Sequence, residues 1–322
     1  MTIFFASTSI ADFKTSTGTN VYRSTARKAD KVSESIFVGR ESNISTTLHS
    51  PVNSNEFWLS FHNNGTGTVD ECFIELFEND LPILRLYGDN ALTDTIDIQL
   101  HDGLVYNTLT SIAITTNDLK KIDVRIIKHP TNGSIETYVD NVLYSSVTNI
   151  NTELTSWVGL DKLTIGCTAT SGAGGMYLSA ILLTDESTLN WLFIQSIPTN
   201  FGTFDEWVGT VNNITDGSDI TYLVGDTSGQ RFVVDSIIDD TLQTGYTVVG
   251  NMLSIRASKI GNGLSTLKAI DYTNSNIYKS SGQNVVSNNV DVLQFISYVN
   301  PDTSLAWTEQ TLENTQFGLE LT

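Results

Sequence analysis

Two cysteines in 322 residues, Cys72 and Cys167, are too few for a four-thiolate zinc site, and a pair so far apart in sequence makes no disulfide framework. Both read as buried small apolar groups. Histidine is nearly as scarce. His49, His62, His101 and His129 have no second imidazole at i+2 or i+4, the spacing that aims two rings at one metal from a strand or helix. Basic side chains are few as well, 17 Lys and Arg against 36 Asp and Glu, and a net charge of −19 repels phosphate backbones and anionic lipid. General nucleic-acid binding is thereby excluded. No stretch approaches the ~20 consecutive apolar residues of a membrane helix. Met1-Thr2-Ile3-Phe4-Phe5-Ala6 also lacks the basic segment and apolar run of a secretory leader. Synthesis in a cytoplasm, without membrane insertion or export, is the expectation.

Catalytic signatures are missing too. There is no Gly-x-Ser-x-Gly elbow for a hydrolase nucleophile. The glycine-rich stretch Thr170-Ser171-Gly172-Ala173-Gly174-Gly175 has strand patterns on both sides, whereas a dinucleotide fingerprint needs a helix after the glycines.

What the chain does have is 40% hydrophobic residues, enough for a core, and Ser, Thr and Asn making up nearly a third of the sequence. Thr favours strands, Asn favours turns, and both resist helix interiors, so an all-β protein is expected. Short β-rich runs bounded by Gly, Asn or Asp recur over the first ~190 residues, the spacing of a sandwich or jelly roll. The clearest are residues 57–61, 72–77, 82–87 and 95–100, where Ile96, Ile98 and Leu100 share one face with Asp97 and Gln99 on the other. Ile122, Val124 and Ile126 then alternate with Asp123, Arg125 and Ile127. Asn132-Gly133, a pair that tolerates positive φ, predicts a tight turn into residues 135–139. Asp140-Asn141 predicts a second turn into Val142-Leu143-Tyr144, completing a three-strand meander. Strands are also expected at 163–166 and 176–183.

The pattern breaks at Ile197-Pro198-Thr199-Asn200-Phe201-Gly202, which sets the predicted domains at 1–195 and 196–322. In the second, strands are expected at 231–238, 247–258, 267–272, 290–299 and 317–321. A turn or two of helix at 307–314 would have Thr308 as N-cap. The predicted architecture is two tandem β-sandwich or jelly-roll domains.

The meander Ile-x-Val-x-Ile … Asn-Gly-Ser-Ile-x-x-Tyr-Val-Asp-x-x-Leu, residues 122–143, resembles the central hairpins of concanavalin A-like, laminin-G-like lectin/glucanase folds. Asn141 stands where those folds often have Gly, and Asn also accepts the left-handed conformation. Ser179-Ala180-Ile181-Leu182-Leu183-Thr184-Asp185-Glu186-Ser187-Thr188, followed by Trp191 and Trp207, resembles the junction after a lectin-like domain in virion structural proteins of tailed bacteriophages. The ending Ala306-Trp307-Thr308 … Asn314 … Gly318 is similar to theirs, with Asn314 two positions later than their commonest pattern. The resemblance implies a concanavalin A-like first domain in a non-enzymatic virion component at a tail, fibre or other external position. It also implies other virion proteins as partners and contact with host-surface glycan. Few lysines leave edge strands poorly blocked, so packing into a homo-oligomer is expected. A capsid decoration protein without host contact, and a carbohydrate-binding module or glycoside hydrolase, are the competing readings.

Lectin-like sandwiches include hydrolases, so carboxylates on one strand face are the first candidates. Glu71 and Glu75 are expected on one face of the 72–77 strand, but Phe73 occupies the place of the middle carboxylate of Glu-x-Asp-x-x-Glu. They read as two solvated carboxylates, with no catalytic residue assigned. Asp216-Gly217-Ser218-Asp219 and Asp239-Asp240 offer oxygens to calcium, yet the twelve-residue loop ending in a bidentate Glu is missing. They read as solvated turns, and neither a metal nor a cofactor is expected. Sugar platforms are aromatic rings. The pool is Trp58, Trp157, Trp207, Trp307, Tyr87, Tyr106 and Tyr177, with Trp58 expected in the core. Trp157 and Tyr177, which flank turn-rich segments, are the candidate glycan-binding residues.

Overall fold

The computed structural model describes residues 1–24, 32, 35–64, 71–88, 95–113, 119–153, 157–170, 175–215, 220–238, 247–260, 265–285 and 288–322. The clusters 216–219 and 239–240, and residues 171–174 of the glycine-rich stretch, lie outside them. The chain divides into two compact units, Met1–Phe193 and Ile194–Thr322.

The first unit carries β1 (Ile3–Ser7), β2 (Thr15–Thr17), β3 (Val21–Ser24), β4 (Ser35–Gly39), β5 (Ser42–Val52), β6 (Glu56–Asn64), β7 (Cys72–Glu78) and β8 (Leu81–Gly88). It continues with β9 (Thr95–His101), β10 (Tyr106–Ala113), β11 (Leu119–Ile127), β12 (Gly133–Val139), β13 (Val142–Ile150), β14 (Leu160–Cys167) and β15 (Gly175–Thr184). Two antiparallel sheets result. An eight-stranded sheet runs β13-β12-β11-β6-β15-β4-β3 with β1 on β15, and a seven-stranded sheet runs β10-β9-β8-β7-β14-β5-β2. Period-2 alternation decides what lies between them. Phe57, Leu59, Phe61, Ile122, Val124 and Ile126 from one sheet meet Ile74, Leu76, Leu84, Leu86, Ile96 and Ile98 from the other in one core. This is a two-sheet antiparallel β-sandwich, as the strand pattern predicts.

Asparagine and aspartate turn the hairpins without glycine. Asn79-Asp80 (φ 49° and 63°) and Asp140-Asn141 (φ 50° and 67°) both hold two consecutive left-handed residues, the requirement of a two-residue hairpin turn that matches strand twist. Asn132-Gly133 works differently from expectation, because Gly133 is not at positive φ. His129 Nδ1 accepts the N–H groups of Thr131 and Asn132 at 3.0 and 2.8 Å and closes that turn. Gly133 instead leaves room for Thr152, whose Oγ1 would lie 2.1 Å from any Cβ there and which donates to the Ile127 carbonyl at 2.7 Å.

The outer face of the eight-stranded sheet is sealed by the segment following β15. Thr188 Oγ1 donates to Asp123 Oδ1 at 2.6 Å, and Lys121 Nζ bridges that same oxygen at 3.1 Å and the Thr188 carbonyl at 2.6 Å. Asp123 and Thr188 are fully buried. On the same face Trp58 stacks on Tyr138 at 5.5 Å, and Arg125 reaches Glu56 at 2.8 Å and Glu136 at 3.0 Å. Trp58 is thus buried as expected, but outside the sandwich core.

The second unit contains β16 (Ser196–Asp205), α1 (Asn212–Thr215), β17 (Arg231–Ile238), β18 (Asn251–Ala257), β19 (Ser265–Thr273), β20 (Asn276–Lys279), β21 (Gln283–Val285), β22 (Asp291–Ser297), α2 (Glu309–Glu313) and β23 (Gln316–Leu321). A six-stranded sheet, β16-β17-β23-β19-β20 with β21 on β19, faces the two-stranded sheet β18-β22. Phe232, Val234, Leu267 and Leu319 pack there against Leu293 and Phe295. The 197–202 segment is part of β16, contrary to its reading as a break. It is an edge strand, where Pro198 costs no ladder bond. Thr308 caps α2 in a reciprocal box with Thr311, as its sequence predicts.

Candidate functional site

Inward residues of the seven-stranded sheet feed the core, so their neighbours along each strand form its outer face. On β7 these are Phe73, Glu75 and Phe77, on β8 Arg85 and Tyr87, on β9 Asp97, Gln99 and His101, and on β10 Tyr106, Thr108 and Ser111. Register places Glu75 opposite both Arg85 and Thr164, Arg85 opposite Gln99, and Gln99 opposite Thr108. One polar row therefore crosses five strands, flanked by four half-buried aromatic rings.

Arg85 is held by its neighbours. Its guanidinium carbon lies 3.7 Å from the Tyr106 ring centroid and 4.4 Å from that of Tyr87. Nε and Nη2 donate to Gln99 Oε1 at 3.0 and 2.8 Å. Gln99 Nε2 donates to Thr108 Oγ1 at 3.0 Å, and Asp97 accepts from Thr108 at 3.3 Å and Ser111 at 2.6 Å. The loop leading into Tyr106 is equally fixed. Asp102 accepts the N–H groups of Val105 and Leu104 and the Asn107 amide, which holds its carboxyl down at about 2.

Glu75 is the exception. Among the described residues no hydrogen bond or ion pair reaches its carboxylate. Burial pushes its pKa up to about 7, against the opposing charges of Arg85 and Lys162. The hydroxyl of Tyr106 is likewise buried without a hydrogen-bond partner among those residues. At the end of this face an open depression of about 300 Å³ is lined by Glu41, Ser42, Asn43, Phe73, Cys167 and Thr168. The Phe73 ring reaches it by lying across Gly166, where a Cβ would come within 2.4 Å of the ring.

The sequence-derived candidates fare unevenly. Trp157 is only 3% exposed, meets Phe57 edge-on at 6.1 Å and carries Lys128 Nζ 4.1 Å from its ring centre. Its ring is core and offers no platform to a sugar, which corrects the expectation. Tyr177 is half-buried on the outer face of the other sheet, paired with Phe37 at 4.6 Å, so the two candidates share no surface. Glu71 lies before β7 with φ 56°, its Oε2 accepting from Thr168 Oγ1 at 3.3 Å, so it does not share a strand face with Glu75. Glu75 itself is desolvated, contrary to its reading as a solvated carboxylate. Tyr87 and Tyr106 belong to the aromatic pool, and Arg85 is the residue that unites them. Among the described residues no three His, Cys, Asp or Glu side chains converge as a metal site.

No protein-family profile and no curated protein matches this chain. Solved structures similar to it include domain 4 of AbnA, a GH43 extracellular arabinanase from Geobacillus stearothermophilus in complex with arabinotriose, at 12% identity and TM-score 0.39, covering 57% of this chain and 92% of that one. The CBM2 module of the evolved Dit of Lactobacillus casei BL23 phage J-1 is 18% identical with a TM-score of 0.33, covering 52% and 77%. The galectin LEC-6 of Caenorhabditis elegans is 14% identical with a TM-score of 0.31, covering 46% and 94%.

Proposed function

We propose that this chain is a non-enzymatic structural component of a tailed-phage particle, at a tail, fibre or other external position, that contacts host-surface glycan through the outer face of its seven-stranded sheet. One observation carries the glycan reading. A desolvated carboxyl and a desolvated phenol, Glu75 and Tyr106, lack partners among the described residues while the rings of Phe73, Phe77, Tyr87 and Tyr106 surround them. Aromatic faces cover the apolar side of a pyranose, and unpaired polar groups between them accept or donate to its hydroxyls. The absence of turnover is supported by Phe73 and Phe77 flanking Glu75 on β7, where a hydrolase would set a second carboxylate. The virion reading is supported by the junction and C-terminal segments, with copies of this chain and neighbouring virion proteins as packing partners.

The labelled chain applied to an array of bacterial surface polysaccharides should bind at least one of them. Tyr106→Ala and Arg85→Ala should each weaken that binding tenfold or more, and Tyr177→Ala should leave it unchanged. An empty array, or binding that responds only to Tyr177, would refute the site. Antibody-gold labelling of intact particles tests the position, and label on the head alone would favour a decoration protein.

A further inference from the structure

The two cysteines that sequence separation kept apart are direct neighbours across β7 and β14. Cys72, the first residue of β7, is in register with Cys167, the last of β14, and both side chains are buried in the same core. The next rung fixes their geometry. The N–H of Thr168 donates to the Glu71 carbonyl at 3.0 Å, so Glu71/Thr168 is a hydrogen-bonded pair and Cys72/Cys167 the adjacent non-hydrogen-bonded one. In antiparallel ladders that rung brings Cα atoms to ~4.5 Å with side chains at their closest. A disulfide spans Cα separations of ~4.4–6.8 Å. Both thiols are buried in the folded chain, but the rung ends both strands, so fraying of the strand ends or refolding exposes the pair to an oxidant.

We propose that Cys72 and Cys167 are a redox pair that closes into an intramolecular cross-strand disulfide once the protein meets a low-molecular-weight disulfide oxidant. The inference goes beyond the glycan reading and does not depend on it. One cysteine thiolate attacks a sulfur of oxidised glutathione, breaking its S–S bond and releasing one glutathione thiolate. The second cysteine thiolate attacks the protein sulfur of the mixed disulfide, forming the Cys72–Cys167 bond and expelling the second glutathione. Two electrons pass to the oxidant, and the two cysteine protons end on the two glutathione thiols. The bond would tie the start of the strand carrying Glu75 to β14, closing a long loop of chain in a particle component that works outside a reducing cytoplasm.

The reduced full-length chain is equilibrated with oxidised and reduced glutathione, folded in one arm and refolded from urea in the other. It is then denatured, alkylated and weighed before and after proteolysis. The expected product is a monomer lighter by two hydrogens, inert to alkylation, that yields one cross-linked peptide containing Cys72 and Cys167. Its Tm should fall by ~5 °C or more on adding reductant. A Cys72→Ala variant should show no such reductant-dependent shift. Two alkylatable cysteines in both arms, stable glutathione adducts, or disulfides between chains would overturn the proposal.

Discussion

The two outward faces of the first sandwich are built from similar residue types and end in opposite states. Among the described residues, the buried charges of the eight-stranded sheet meet opposite ones, with Asp123 Oδ2 the carboxylate oxygen there that has no hydrogen-bond partner. Lys121 faces Asp123, Arg125 lies between Glu56 and Glu136, and the segment ending in Thr188 covers the first pair. On the seven-stranded sheet Arg85 is satisfied by a neutral amide and two rings, while Glu75, its cross-strand neighbour, has no hydrogen bond or ion pair among the described residues. Desolvating a charge without pairing it costs free energy. Paired charges on the first face offset one another's desolvation. The unpaired one on the second is a cost that stability alone does not explain, and a ligand would offset it.

Breaking the sealed face should have the largest effect. Asp123→Ala leaves the Lys121 ammonium buried with only the Thr188 carbonyl and the Asn141 amide oxygen as partners. Removing one member of a buried pair costs about 3–5 kcal/mol, read as a lower urea midpoint. Replacing both partners, Lys121→Met with Asp123→Leu, should recover most of that loss. If the single variant is as stable as the parent, the pair does not hold the junction segment.

Glu75→Gln tests the other face and should act in the opposite direction. The folded-state pKa is raised from 4.5 to about 7, so the folded chain binds this proton more tightly than the unfolded one. The penalty is full above pH 7 and is relieved as the pH falls from 7 toward 4.5, so the parent gains stability on acidification through that window. Asp271, raised to about 6 by burial, adds the same slope from the second unit, so the parent-minus-variant difference is the quantity to measure. Glu75→Gln should be more stable than the parent at pH 8 by about 3 kcal/mol and equal to it near pH 4.5. A constant difference across that range would mean Glu75 is solvated.

The contrast between the faces was only half legible in the sequence. Alternation at Ile96, Ile98 and Leu100, the meander, and the Thr308 cap are local patterns, and local physics decides them. The polar row depends on register. Counting back from the Asn79-Asp80 turn would set Glu75 against Leu84, but a bulge between Leu76 and Phe77 shifts the ladder by one and sets it against Arg85. Nothing in the residues announces that bulge. Edge strands hid for another reason. β10 carries Asn107, Thr108, Thr110 and Ser111 and covers little core, so the apolar period that marks a strand is weak there. The turn-rich neighbours of Trp157 point to a rim, while Phe57 and Lys128, distant in sequence, bury its ring.

The smallest expected effect sharpens the comparison from its exposed end. Lys162 reaches Asp80 at 2.8 Å, with 35% and 85% of the two side chains exposed, and its ammonium lies 4.9 Å from the Phe77 ring centre. As a surface ion pair it is worth at most ~1 kcal/mol, so Lys162→Met should move the urea midpoint little. Its charge also opposes the rise in the Glu75 pKa, however. If Lys162 faces that carboxyl, the methionine variant should titrate Glu75 at still higher pH and extend the acid-stabilised window upward. That displacement is absent if Lys162 serves Asp80 alone. A pH series on this variant therefore separates a charge that belongs to the polar row from one that merely decorates its edge.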